Sequence, residues 1–237
     1  MDIRNRVVLV TGASRGLGFE TARLLARRGA PLAIVARDPV QLEVAANQLR
    51  TSTEVLAIAA DVSERAEDIV EQTLRRFGRL DIVINNASEL GPSPMPKLED
   101  LDWADFARIM RVNVIAPLHL IQLALPALRA AGTGVIVNIT SDAGVNAYPG
   151  WGGYGSSKAA LEHVSRVLAA EIEGSGIRVY VVDPGDMNTK MHEDAEPGVD
   201  LSHLPNPSLV APALLEIIER ETAPFGRFEA QKLVVAP

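Results

Sequence analysis

A chain of 237 residues suits one α/β domain with a full core, and its net charge of −7 excludes nucleic acid as the main partner, because phosphate binding needs a clustered basic surface. The absence of cysteine excludes disulfides, thiolate metal ligands and thiol catalysis together, and the four histidines, His119, His163, His192 and His203, are too scattered for a metal site. With 47% hydrophobic and 22% charged residues the composition is that of an ordinary globular protein, and neither a membrane span nor a secretory signal is visible, so a soluble, cytoplasmic protein without a membrane partner is expected.

The first apolar run, Val7-Val8-Leu9-Val10, leads directly into Thr11-Gly12-Ala13-Ser14-Arg15-Gly16-Leu17-Gly18 and then an apolar-periodic stretch to about Arg28. This reads as strand, glycine turn and helix. Continuous apolar strands alternating with helices predict a parallel sheet covered on both faces. Glycines at 12, 16 and 18 let the backbone turn tightly and approach a phosphate, which the free N–H groups and dipole of the helix N-terminus stabilise. Gly12, Ser14, Arg15, Gly16, Leu17 and Gly18 are therefore candidate dinucleotide contacts.

A second strand, Leu32 to Ala36, ends where an acidic residue would grip the ribose hydroxyls of NAD. Ala36 stands there instead, Arg37 follows, and Arg15 lies inside the glycine turn. Two guanidinium groups suit a 2′-phosphate, so NADP(H) is favoured over NAD(H). Asp38 keeps the alternative open, since a small backbone rearrangement would aim it at a hydroxyl. After a polar helix from about Pro39 to Arg50, the third strand, Val55 to Ala59, delivers Asp61 and Val62; Asp61 either accepts from an adenine amino group or caps a helix beginning near Ser63. The fourth strand, Leu80 to Ile84, leads to Asn85-Asn86-Ala87, at the carboxyl end of the sheet where such folds bind ligands.

Asp102 opens a long helix to about Leu128, with Asn113 and Pro117 in its middle. Pro117 lacks the N–H that the Asn113 carbonyl would accept, so a kink is expected, with a water as the natural partner of the freed carbonyl. The fifth strand, Gly134 to Ile139, delivers Ser141, whose hydroxyl can hydrogen-bond a substrate carbonyl. Tyr154 and Lys158 follow, one helical turn apart on one face. A cation beside the phenol favours phenolate, which makes Tyr154 a candidate general acid/base. The sixth strand, Ile177 to Val182, ends at Asp183-Pro184-Gly185. Residues 186–207 show no period and are expected to form a mobile lid; Ser208 is expected to cap a last helix through Glu221, with Pro212 in its first turn, and a strand-like segment near Phe228 to Val235 closes the chain.

Read in order, the glycine turn, Asn85-Asn86-Ala87, Asn113, Ser141, Tyr154, Lys158 and Pro184-Gly185 resemble the classical short-chain dehydrogenases/reductases over essentially the whole chain. The resemblance implies a single three-layer, doubly wound Rossmann domain with a seven-stranded parallel sheet of order 3-2-1-4-5-6-7, and NAD(P)-dependent interconversion of a small-molecule carbonyl and alcohol. By matching positions, Tyr154 is the acid/base, Lys158 its activator and a ribose ligand, Ser141 the orienter of the substrate oxygen, and Asn113 the holder of a relay water. Asp61 and Val62 fall beside adenine, Asn86, Ala87, Pro184 and Gly185 on the cofactor side, and Thr189 at the nicotinamide carboxamide. Leu90, Tyr148, Trp151, Met187 and Met191 favour an apolar pocket without a fixed charge. Ser88 replaces the usual glycine after Asn-Asn-Ala, and the tail lacks the usual glycine-rich ending that often helps a tetramer interface; a homodimer through the Asn113 and Tyr154 helices or a homotetramer is expected. The competing reading is a catalytically silent dinucleotide-sensing protein on the same fold.

Overall fold

The computed structural model describes residues 1–233. Seven strands form one parallel sheet in the order β3-β2-β1-β4-β5-β6-β7. They are β1 (Val8–Thr11), β2 (Leu32–Ala36), β3 (Val55–Ala59), β4 (Ile82–Asn85), β5 (Val135–Ile139), β6 (Arg178–Asp183) and β7 (Phe225–Glu229). The helices are α1 (Gly16–Arg27), α2 (Pro39–Leu49), α3 (Ala66–Phe77), α4 (Trp103–Met110), α5 (Ala116–Ala130), α6 (Gly152–Glu171), α7 (Lys190–Ala195), α8 (Pro207–Arg220) and α9 (Ala230–Leu233). Alternation along each strand builds two cores. Val8, Val10, Ile34, Ile84 and Val182 pack with α1, α2 and α8, whereas Leu9, Val35, Val83, Ile136 and Val179 pack with α3, α5 and α6. Because both faces are covered, the inner strands read as unbroken apolar runs.

Strand order reverses between β1 and β4, and the chain after each carboxyl end turns outward there. Thr11 belongs to β1, pairs with Val35, and accepts from the N–H groups of Asn86 and Ala87 at 3.0 Å each. A polar residue thus continues the strand because its hydroxyl is used inside the sheet. Asn85 and Asn138, neighbours in register across β4 and β5, share a hydrogen bond of 2.8 Å, and Asn138 reaches Ser165 on α6 at 2.8 Å. This buried run fixes the height of α6 over the sheet.

The long helix is interrupted as Pro117 foretells, but by a π-helical turn, Arg111–Ile115, rather than a simple kink. The Ala116 N–H donates to the Arg111 carbonyl, one residue further back than in an α-helix. The whole rod, Trp103–Ala130, is 28 residues and apolar enough to cross a bilayer by length and composition. Its packing answers that: Ala116, Leu120, Ile121, Ala124 and Leu128 are buried against the sheet.

Three expectations at the C-terminal end are corrected. Asn206, not Ser208, caps α8, accepting from the Ser208 N–H at 3.0 Å, and Pro207 begins the helix with its ring-fixed φ. Pro212 therefore falls in the second turn. The closing strand is Phe225–Glu229, where pairing with β6 holds it, and the chain turns into α9 at Ala230; residues 234–235 of the expected strand lie outside the described residues. The stretch 186–207 contains α7, whose six residues are too few to display a period.

Candidate active site

A cavity of about 730 Å³ runs along the carboxyl ends of the strands, from the glycine turn to α7. Gly12, Ser14, Arg15, Gly16, Leu17, Arg37, Asp61, Val62, Asn86, Ala87, Ser141, Tyr154, Lys158, Pro184, Gly185 and Thr189 all line it. Of the expected site residues, Gly18 and Asn113 are set back from the wall.

At one end the α1 N-terminus is a ready anion cradle. Arg15, its N-cap, is extended and makes no side-chain cap bond, and no acidic residue occupies the first turn. Gly12 has φ +66°, and a Cβ on Gly18 would lie 2.4 Å from the Gly12 carbonyl oxygen and 2.5 Å from Asn86 Nδ2. Asn86 Nδ2 in turn donates to the carbonyls of Thr11 and Gly12, at 3.0 and 3.1 Å. Asn86 therefore shapes the turn besides lining the cavity.

One oxygen of Asp38, Oδ1, accepts from the N–H groups of Val40 and Gln41, at 2.9 and 3.1 Å, and caps α2, while the residue also lines the cavity. Arg37 and Arg15 stand at the same end. Arg37 Nη1 stands 3.8 Å from Glu89, beyond hydrogen-bond reach, and the side chain is largely exposed, so its donors remain free. Asp61 lines the cavity but does not cap α3, whose N-cap is Arg65. One oxygen accepts from the Ser63 N–H and hydroxyl, at 2.8 and 2.7 Å, while α3 begins only at Ala66.

At the other end the first turn of α6 packs against the 3-10 turn Asp142–Gly144 so closely that a Cβ on Gly155 would lie 2.5 Å from the Ala143 carbonyl oxygen. This contact brings Ser141 and Tyr154 to the same end of the cavity. Lys158, 2% exposed, donates from Nζ to the Ile139 carbonyl at 2.9 Å and sits 5.2 Å from the Tyr154 ring centroid. Ser141 caps the 3-10 turn, accepting from the Ala143 N–H at 3.2 Å.

The expected lowering of the phenol by its lysine is not what the surroundings produce. Burial pushes the Tyr154 phenol well above its ordinary value, the Asp183 and Asp142 charges add to this, and the hydroxyls of Ser88 and Ser141 pull it partly back. Burial likewise pushes Lys158 down to about 8, so its cation is too weakly held to dominate. Asp183 is raised by the same cause. A phenol kept protonated is fitted to give a proton rather than take one.

Asn113 has a structural task as well. Its side chain is saturated: Oδ1 accepts from the Glu89 N–H at 2.7 Å and Ser88 Oγ at 3.1 Å, and Nδ2 donates to the Glu89 carbonyl at 2.8 Å and Ser157 Oγ at 2.9 Å. Ser157 Oγ passes the chain on to the Tyr154 carbonyl at 2.6 Å. The amide thus pins the 88–89 loop to α6, and only the backbone carbonyl, inside the π-helical turn, is left for a water. Ser88, the departure noted in the sequence, belongs to this junction.

The substrate end is walled by Leu90, Trp151, Met187 and Met191. Tyr148 is not part of it; its hydroxyl donates to Asp142 at 2.6 Å and its ring faces out beside Trp151. The expected charge-free pocket has a rim that carries the charges of Asp186 and Lys190 and the imidazole of His192, on and before α7. Thr189 caps α7, accepting from the His192 N–H at 3.2 Å, so one residue both ends the loop and faces the cavity. Glu20, Gln41, Val112 and Asn188 also line the cavity and were not anticipated, because their places depend on how helices pack rather than on a local motif. Among the described residues no cluster of three or more His, Asp or Glu forms a metal site.

Comparison with known proteins agrees with this geometry. A family model described as short chain dehydrogenase matches residues 6–200. An uncharacterized oxidoreductase of Thermotoga maritima is 39% identical over 186 residues, covering 78% of this chain and 73% of the relative. A short chain dehydrogenase from Pseudomonas syringae superposes with a TM-score of 0.91 at 31% identity, covering 97% of this chain and 96% of that one. A short chain dehydrogenase from Escherichia coli, solved in complex with NADPH, superposes with a TM-score of 0.87 at 30% identity, covering 97% and 98%. The match spans most of the sequence and nearly all of the fold, and the chain belongs to the short chain dehydrogenase family, a dehydrogenase/reductase among oxidoreductases.

Proposed function

We propose that the protein is an NADP(H)-dependent oxidoreductase that interconverts a small, largely apolar carbonyl compound and its secondary alcohol. The observation that carries this reading is the single cavity joining an uncapped, glycine-rich helix N-terminus with two nearby arginines to a buried Tyr154 and Lys158 beside Ser141. The cradle fits a dinucleotide: a Cβ at Gly18 would close it, and Arg15 and Arg37 supply positive charge beside Ala36, which stands where an acidic residue would read NAD. The Escherichia coli relative's NADPH complex supports the same choice. When bound, the nicotinamide supplies or accepts the hydride.

Tyr154, held protonated at neutral pH, gives its phenolic proton to the carbonyl oxygen during reduction. Ser141 holds that oxygen in place. Lys158, fixed by the Ile139 carbonyl, orients the ring and presents a group that exchanges protons near pH 8. The Asn113 carbonyl holds a water that links the site to solvent. The segment 186–207 closes over the substrate as a lid, with Met187 and Met191 excluding water. The chain works as one cytoplasmic domain assembled into a homodimer or homotetramer, a reading supported by the exposed Trp103, Ile115 and Val167 on α4, the π-helical turn and α6.

The cofactor assignment has a direct test. Losing one arginine contact to the 2′-phosphate removes about 1.5 to 3 kcal/mol, so Arg37→Ala should weaken NADPH binding roughly tenfold to a hundredfold and leave NADH almost unchanged. Ala36→Asp with Arg37→Ala should reverse the preference, by adding a ribose acceptor and repelling the phosphate. Dissociation constants by nucleotide fluorescence at fixed salt decide it. Equal affinity of the parent protein for NADH and NADPH would contradict the assignment.

Pro117→Ala tests the relay. The restored N–H should draw the π-helical turn toward α geometry, raise stability by less than about 1 kcal/mol and lower turnover. Equal turnover across the pH range would remove the Asn113 carbonyl from the relay.

A further inference from the structure

Arg227, on the edge strand β7, reaches two carboxylates behind the proposed catalytic groups. Its Nε lies 3.1 Å from each oxygen of Glu162, and its Nη2 lies 3.7 Å from Asp183 Oδ2. Glu162 is 6% exposed and follows Lys158 by one turn of α6, on the same helix face. Its Oε1 also accepts from Thr140 Oγ1 at 2.7 Å. Thr140 lies between Ile139, whose carbonyl receives Lys158 Nζ, and Ser141. Asp183 Oδ1 accepts from the Gly185 N–H at 2.9 Å and so shapes the turn on the other side of the cavity. One cation from the last strand therefore ties together both strand ends that carry the site. A buried carboxylate is unfavourable unless paired, and an unpaired one beside Lys158 would hold the lysine charged.

We propose that Arg227 is a positioning residue for the catalytic lysine: it cancels the charge of Glu162 beside Lys158 and, through Glu162 and Thr140, fixes the strand end that bears Ser141. This rests on the roles given above to Tyr154 and Lys158. The ionisable groups around this end of the site are Tyr154 and Glu162 on α6, Asp142 on the 3-10 turn, Asp183 on β6, and Arg227 and Glu229 on β7. Burial lowers Lys158.

The chain has four lysines, Lys97, Lys158, Lys190 and Lys232, so the protein with carbon-labelled lysine gives an NMR titration in which each is followed, with Lys158→Met as the assignment. Arg227→Met should raise the Lys158 pKa by about one unit, because it uncovers the Glu162 carboxylate. Glu162→Gln should lower it, because it uncovers Arg227. The double variant should return near the parent value, and Arg227→Lys should keep it. A merely structural role would not give opposite signs that cancel. Shifts of the same sign, or none, in folded Arg227→Met and Glu162→Gln would overturn the proposal. Should Arg227→Met fail to fold, Glu162→Gln decides alone: a fall supports the proposal, and no change or a rise overturns it. The titration needs no turnover, so it stands apart from the carbonyl-reductase reading, which fails instead if Tyr154→Phe keeps the parent rate.

Discussion

Tyr154→Phe is expected to lower turnover by about a hundredfold or more while leaving the fold and NADPH affinity nearly unchanged. The ring is 9% exposed and packs edge-to-face on Trp151 at 6.0 Å and beneath the Lys158 ammonium, and phenylalanine keeps both contacts. Only the hydroxyl is lost. Because the α6 N-terminal turn is held by its close approach to Ala143, and the Tyr154 carbonyl by Ser157, nothing in the backbone depends on that hydroxyl. Turnover and NADPH dissociation constants measured side by side separate chemistry from binding, and a variant that reduces substrate at the parent rate would remove Tyr154 as the acid.

The second large effect is expected at Gly18. Alanine there places a methyl carbon 2.4 Å from the Gly12 carbonyl oxygen, which is backbone and cannot step aside as a side chain could. α1 must then move off β1, carrying the anion cradle with it. Overpacking of this kind destabilises by about 1 to 3 kcal/mol, and a displaced helix N-terminus should weaken dinucleotide binding by roughly tenfold or more. Denaturant unfolding and a dinucleotide titration of Gly18→Ala report the two consequences. Parent-like values of both would mean that the turn is not the cradle.

Most of the architecture was legible because parallel strands buried on both faces must be written as apolar runs. β2 and β3 end where the runs end, at Ala36 and Ala59. β1, β4 and β6 extend one residue past the apolar run, to Thr11, Asn85 and Asp183, whose side chains each make a hydrogen bond inside the sheet or at its rim, although Asn85 Oδ1 stays buried without a partner. The chemistry-bearing residues were legible for a related reason: a glycine turn, an Asn pair and a Tyr-x-x-x-Lys each stand at a strand's carboxyl end or on the helix beyond it. Burial was not legible. It reverses the expected direction at Tyr154, and it is set by Trp151, Leu90 and Ala195, which lie far apart in the chain. Partners across long separations were equally hidden. Glu162 and Arg227, 65 residues apart, carry no local pattern, and nothing near Asn113 in the chain announces that Ser88, Glu89 and Ser157 take up its whole side-chain amide. Short elements were missed where they have no room for a period, as with α7.

The central claim is that this cavity transfers hydride to a carbonyl with Tyr154 as the proton donor. The measurement that tests it most directly uses NADPH deuterated at the transferable position of its nicotinamide, incubated with a panel of apolar ketones, aldehydes and ring carbonyls. The account predicts that deuterium appears on the carbinol carbon of at least one product, that the parent protein transfers it and that Tyr154→Phe does not. Tight NADPH binding with no deuterium transferred to any carbonyl would contradict the account and identify a dinucleotide-sensing protein instead.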